Sequence, residues 1–206
     1  MSQFFVIHPD NPQQRLIREA VKILRGGGVI VYPTDSCYAL GCYIGEKAAM
    51  ERIQAIRQVD QKHHLTLVCN NLSELANYAK VDNSQFRMLK TATPGSYTFI
   101  LEATREAPRR MQHPKRSTIG LRVPDHPVTQ ALLAELGEPI LSSTLIMPGE
   151  DEPLSDPYEI RERLERSVDL IIDGAWCGTE PTTVIDMTNG LELVRKGKGD
   201  PSVFGL

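Results

Sequence analysis

Apolar positions at 16, 17, 20, 21 and 24 recur at helical spacing, with Asp10 or Asn11 placed to cap a helix whose first turn holds Pro12. Gly26, Gly27 and Gly28 stop it. Phosphate-binding glycine loops run from a strand into a helix, and here the order is helix, glycines, strand, so the run reads as a C-cap and turn. Two short apolar runs follow, 29–32 and 39–42, separated by Pro33, Thr34, Asp35 and Ser36. A plain connection would be content with Gly, Asn or Asp, so this polar cluster between two strands calls for another use. Beyond it the pattern predicts a helix over 45–56, a strand over 65–69, a helix over 84–91, strands over 97–101 and 118–123, and a helix over 128–136. Strands at 140–143, 170–172, 183–187 and 191–195 follow, with a charged helix over 158–166 between the first two. Several consecutive strands lie too close for parallel crossovers, so the fold class is α/β with a mixed sheet. No internal repeat or low-complexity linker divides residues 1–206, which read as a single domain.

Composition adds limits rather than a function. With 206 residues, 41% hydrophobic and 24% charged, the chain is ordinary for a soluble globular protein. No apolar run approaches the roughly 20 residues of a membrane helix. The first residues, MSQFFVIHPDNPQQ, lack a basic start, a sustained apolar stretch and a small-residue cleavage site, which places the protein in the cytoplasm. Cys37, Cys42, Cys69 and Cys177 form no C-x-x-C pair and have no histidine at ligand spacing, arguing against a zinc site or a disulfide framework. The net charge of −3 conceals segregation: Arg105, Arg109, Arg110, Lys115, Arg116 and Arg122 face a single acid, Glu106. Arg195, Lys196 and Lys198 form a second basic cluster, while 150–173 is strongly acidic, so one positive face is compatible with an acidic total.

Hydroxyl and cationic residues recur where the predicted strands end: Thr34 with Asp35, Thr118 with Arg122, 142–144, Thr182 with Thr183, and Arg195. Strand ends and the loops leaving them are where α/β sheets bind ligands. A single threonine there is more often a turn residue, and a single arginine is usually solvated; their joint recurrence is the signal. The histidines at 8, 63, 64, 113 and 126 have no motif pairing them with a nucleophile, and Cys37 reads as a buried thiol rather than a reactive one.

The segments YPTDSCYALGC, TPGSYTFIL, STIGLRVP, PTTVID and LVRKGK resemble, in order, signature segments of the YrdC/YciO family. That family makes threonylcarbamoyl-adenylate from threonine, bicarbonate and ATP, for the threonylcarbamoyladenosine of tRNA. The resemblance implies a YrdC/RibB-like twisted mixed sheet with helices on its faces and a positively charged concave surface. It implies that Thr34, His63, Arg122, Ser142 and Thr182 contact threonine, and Arg57, Thr118, Thr144 and Arg195 the nucleotide. ATP with magnesium would be a substrate, and neither a tightly bound cofactor nor a resident metal is implied. Two departures stand out. The synthases' Lys-x-Arg is Arg57-Gln58-Val59 here, and their Ser-x-Asn is Ser142-Ser143-Thr144, both features of the YciO branch. Valine cannot stabilise charge on a phosphoryl group, and a hydroxyl cannot pair donor and acceptor as an amide does.

Two functions follow as expectations. The first is a weak or diverged synthase, or a hydrolase, of threonylcarbamoyl-adenylate, with no catalytic residue assigned. The second is a double-stranded RNA or tRNA-binding module, in which Arg105, Arg109, Arg110, Lys115 and Arg116 share a surface with Lys196 and Lys198. Without an RNA-stacking aromatic motif such binding would follow shape and salt rather than sequence.

Overall fold

The computed structural model describes residues 1–59 and 65–206. Among these, ten strands hydrogen-bond into one mixed sheet: β1 (Gln3–Val6), β2 (Ile30–Tyr32), β3 (Ala39–Tyr43), β4 (Thr66–Val68), β5 (Tyr97–Glu102), β6 (Thr118–Arg122), β7 (Ile140–Thr144), β8 (Leu170–Asp173), β9 (Thr183–Asp186) and β10 (Glu192–Arg195). The order across the sheet is β1-β8-β2-β3-β7-β4-β6-β5-β9-β10. The short β2–β3 and β9–β10 connections make antiparallel pairs, whereas β1 and β2 flank β8, β4 flanks β6, and β5 flanks β9 in parallel.

Side-chain alternation along the strands explains how the two faces differ. Val31, Leu40, Leu67, Phe99, Leu121, Leu141, Ile171 and Ile185 point to one face. There they form a continuous core with α2 (Lys47–Arg57), α3 (Leu72–Tyr78), α4 (Asn83–Ala92) and α6 (Pro157–Leu164), through residues such as Ile53, Leu75, Leu89 and Ile160. On the other face, Ile30, Tyr32, Ala39, Val68, Ile140, Leu170 and Ile172 pack under α1 (Gln14–Arg25) and α5 (Pro127–Leu136). That second core covers only half of its face. Over β5, β6 and β9 the alternate positions are Thr98, Ile100, Thr118, Gly120, Arg122, Val184 and Asp186, none of which joins either core. Among the described residues no helix covers that half of the sheet, and the concavity there is the site described below.

The predicted elements are present, with differences at their ends. The first helix starts at Gln14, and its N-cap, Gln13, makes no side-chain cap bond. Asp10 and Asn11 do not cap it, because their backbone amides donate to Nδ1 of His8 (3.2 Å each), forming a separate turn ahead of the helix. Gly26 is the C-cap and Gly27 has φ 82°, a left-handed conformation natural to glycine. Two elements escape the sequence pattern. Strand β1 is a four-residue edge strand without alternation, and α3 is seven residues long, defined by the Asn71 cap on Glu74 and by Leu75. All four cysteines are free, Cys37, Cys42 and Cys69 being buried.

Candidate functional site

The polar turn between β2 and β3 is held by its own hydroxyls. Thr34 Oγ1 accepts from the amides of Ser36 and Cys37 (3.2 Å each) and donates to the Cys37 carbonyl at 2.6 Å. Thr129, from α5, donates to the Pro33 carbonyl at 2.5 Å. This local network turns Asp35 toward β6, where its carboxylate takes Nη2 of Arg122 and, at 3.0 Å, the Ser96 hydroxyl. Ser36 accepts from Nη1 of Arg122 at 3.3 Å. Both members of the Asp35–Arg122 ion pair are 9% exposed, and Nε of Arg122 is buried with no acceptor. Lys198 reaches back from the end of the chain to the Asp35 carbonyl.

Arg122 opens onto a cavity of about 310 Å³ above the uncovered half of the sheet. The strand register sets its floor: Ser142 is paired with Thr66, Thr66 with Gly120, Gly120 with Ile100, and Ile100 with Asp186. Four strand spacings give a floor of roughly 19 Å from Ser142 to Asp186, long enough for an extended small molecule. Around it stand Ser36, Cys37, Arg57, Thr98, His113, Arg116, Thr118, Thr144, Thr182 and Arg195. Many of the polar groups are already oriented. Tyr32 donates to the Ser142 hydroxyl at 2.7 Å and Ser142 donates to the Leu40 carbonyl at 3.1 Å. Thr98 and Thr182 share a hydrogen bond of 2.8 Å, and Arg195 donates to the Thr182 carbonyl at 2.9 Å. Arg57, in the last turn of α2, donates to the Ser143 hydroxyl at 2.6 Å and to the Thr144 carbonyl. The β9–β10 approach needs glycine at 197, since a Cβ there would meet the Pro181 carbonyl at 2.2 Å.

Charge on this wall is unbalanced. Among the described residues Arg57, Arg116 and Arg195 have no carboxylate partner, and Asp186 is the only acid lining the cavity. Asp186 keeps one oxygen on Thr188, accepting from its amide at 2.8 Å and its hydroxyl at 2.6 Å. Burial lowers the pKa of Arg57 and of Arg195, a desolvation that a bound anion would relieve. Burial also pushes the Cys37 thiol up to about 11, which makes it a poor nucleophile at neutral pH.

Of the positions inferred from sequence, Arg57, Thr118, Arg122, Ser142, Thr144, Thr182 and Arg195 meet around this cavity. Thr34 lies behind its wall and spends its hydroxyl on the turn, and His63 lies outside the described residues. The basic segment is dispersed. Arg116 faces the cavity, Arg110 donates to the carbonyls of Ile44 (3.1 Å) and Gly45 (2.8 Å), and Lys198 is drawn onto Asp35. Arg105, Arg109, Lys115 and Lys196 are exposed. Ser36, Thr98, Arg116 and Asp186 are cavity residues that sequence reading did not place there. The signal for Thr98 was present in the alternation of Tyr97–Glu102, and that for Asp186 in a lone carboxylate ending an apolar strand.

A family model described as telomere recombination, that of Sua5, YciO and YrdC, matches residues 22–197. A YciO protein of Escherichia coli strain K12 is 60% identical over 205 residues, covering 99% of this chain and all of the relative. The E. coli YciO crystal structure superposes with a TM-score of 0.95 over 99% of this chain and 100% of that one. A threonylcarbamoyl-AMP synthase of Pseudoalteromonas translucida is 31% identical over 183 residues, covering 86% of this chain and 96% of the synthase. At the level of fold alone, P. abyssi Sua5 complexed with L-threonine matches with a TM-score of 0.89 at 23% identity, over 99% of this chain and 61% of Sua5.

Proposed function

Because the chain belongs to the Sua5/YciO/YrdC family, we propose that its cavity binds threonylcarbamoyl-adenylate or a related acyl nucleotide. It acts there as a diverged synthase or in the hydrolytic direction, within the metabolism of tRNA threonylcarbamoyladenosine. One observation carries this reading: Arg57, Thr118, Arg122, Ser142, Thr144, Thr182 and Arg195, far apart in sequence, converge on one cavity above the sheet. The acyl end lies toward Arg122, a cation on the cavity wall, with Ser142 and Thr182 beside it. The nucleotide lies toward Arg57, Thr118, Thr144 and Arg195.

In synthesis a carbamate oxygen attacks the α-phosphorus of ATP, supplied with magnesium as substrate, and pyrophosphate leaves. The charge then developing on phosphoryl oxygens calls for fixed cations. Arg57 is one such cation, but Val59, standing where the synthases carry a second, is outside the cavity lining. Losing one charge-assisted contact of about 1.5–3 kcal/mol slows such a step roughly tenfold to a hundredfold. In the hydrolytic direction water adds to the acyl carbon of the preformed adenylate, the acyl–phosphate bond breaks, and AMP and the carboxylated threonine leave without any pyrophosphate to expel.

The test follows adenylate and AMP after incubating the purified protein with threonine, bicarbonate and magnesium ATP, and separately with preformed threonylcarbamoyl-adenylate. The expected result is faster AMP release from the preformed adenylate than adenylate formation from its precursors. Failure to bind or turn over either set would overturn the proposal. Contact with tRNA or a duplex would involve the exposed Arg105, Arg109 and Lys115. A steep loss of RNA affinity with salt, flattened by replacing those three residues with alanine, would support it.

A further inference from the structure

The loop between β5 and β6 brings Arg116 to the cavity by a defined path. Nδ1 of His113 accepts from the amides of Lys115 and Arg116 (3.2 Å each), and the Ser117 amide donates to the His113 carbonyl at 2.9 Å. The His113 amide donates to the Thr118 carbonyl at 2.8 Å, and Ser117 adopts a left-handed φ of 53°. These bonds define the backbone of the segment, which sets Arg116 at the cavity wall. Arg116 has no carboxylate partner among the described residues, and Arg57 and Arg195 line the same cavity. An anion at Arg116 would supply the missing partner.

Just beyond Arg116, Thr118 and Asp186 the wall continues into a second recess of about 470 Å³, where the sign of the charge changes. Glu192 stands opposite Asp186 in the β9–β10 register, and Glu102 lines the recess as well, ion-paired with Lys80. Among the described residues Arg116 is the only cation lining it. A phosphoryl group at Arg116 is therefore well placed, whereas further phosphates directed past it meet the carboxylates of Asp186 and Glu192.

We propose that Arg116 holds the single phosphoryl group of a nucleoside monophosphate or its acyl ester, and that Asp186 and Glu192 beyond it select against a triphosphate. This rests on the reading of the cavity as an adenylate site and narrows it: the site favours the one-phosphate end of the reaction. A guanidinium fork matches two phosphate oxygens, which an ammonium does less well.

Calorimetric titrations of the full chain with AMP, ATP and L-threonine, in a chelator and at constant ionic strength, test this. AMP should bind about tenfold or more tighter than ATP, since adverse charges act on the outer phosphates alone. Arg116→Gln should weaken AMP binding roughly tenfold to a hundredfold, the equivalent of one charge-assisted contact, with Arg116→Lys recovering part of it and L-threonine binding unchanged. Glu192→Gln should narrow the gap between AMP and ATP. If ATP binds wild type more tightly than AMP, or if Arg116→Gln binds AMP as wild type does, the proposal fails while the adenylate site stands. If wild type binds neither AMP nor L-threonine, the functional reading fails and takes this one with it.

Discussion

At the residue scale the chain's most consequential pair is Asp35 with Arg122, two ionised groups removed from water and bonded to each other, to Ser36 and to Ser96. Burying two charges is costly, and the cost is offset only while both are present and hydrogen-bonded. Arg122→Ala should therefore destabilise the protein by about 3–5 kcal/mol, by leaving the Asp35 carboxylate buried without its partner. The double replacement Asp35→Ala with Arg122→Ala should cost clearly less than the sum of the single changes. Urea unfolding of the four proteins measures the coupling, and strict additivity would show that the pair contributes no mutual stabilisation. The same pair explains how Arg122 serves a ligand. Its Nη atoms are held by Asp35 and Ser36, which fixes the guanidinium at the cavity wall.

At the scale of elements, the strands and helices that line the site were largely legible as pattern. The alternation in 97–101 and 118–123 marks strands with one apolar and one polar side, and the structure puts the polar sides on one wall. What pattern does not carry is which strands become neighbours. β6 lies between β4 and β5, and β7 between β3 and β4, so Arg122, Thr98 and Ser142 share a wall through pairings distant in sequence. For the same reason the fate of Arg116 was not legible: a basic loop in sequence becomes a cavity wall only through the bonds around His113. Helix α5 carries a pH-dependent consequence. His126 caps it, accepting at Nδ1 from the Val128 amide at 3.2 Å, which requires an unprotonated nitrogen. Burial lowers the His126 pKa, with Asp35, Asp10 and Asp125 opposing. The folded value thus lies below that of the unfolded chain, about 6.5, and the unfolded state binds the proton more readily. This stabilisation is present above about pH 6.5 and is lost as pH falls through the folded value. Denaturant titrations at pH 7.5 and 5.5 should show a smaller loss for His126→Asn, whose side chain also caps but does not titrate. Equal losses in the two proteins would remove His126 as the cause.

At the scale of the whole molecule, one sheet carries two unequal coverings. Helices pack along most of one face and half of the other, and the uncovered half gathers cations, hydroxyls and one carboxylate from strands and loops across the described residues. Gly120, unlike Arg122, belongs to neither core and to no ion pair, so a change there leaves both cores intact. Gly120 lies at the centre of the cavity floor, and a Cβ there would meet Thr98 at 3.6 Å and Thr66 at 3.7 Å, ordinary contact distances. Gly120→Val should fold as wild type does and still fill the space a ligand would take. The most direct measurement is an equilibrium titration of wild type and Gly120→Val with a non-hydrolysable threonylcarbamoyl-adenylate analogue, with thermal melting run in parallel. The account predicts saturable one-site binding by wild type and at least about tenfold weaker binding by Gly120→Val at an unchanged melting temperature. Absence of binding by wild type, or equal affinity in the two proteins, would contradict it.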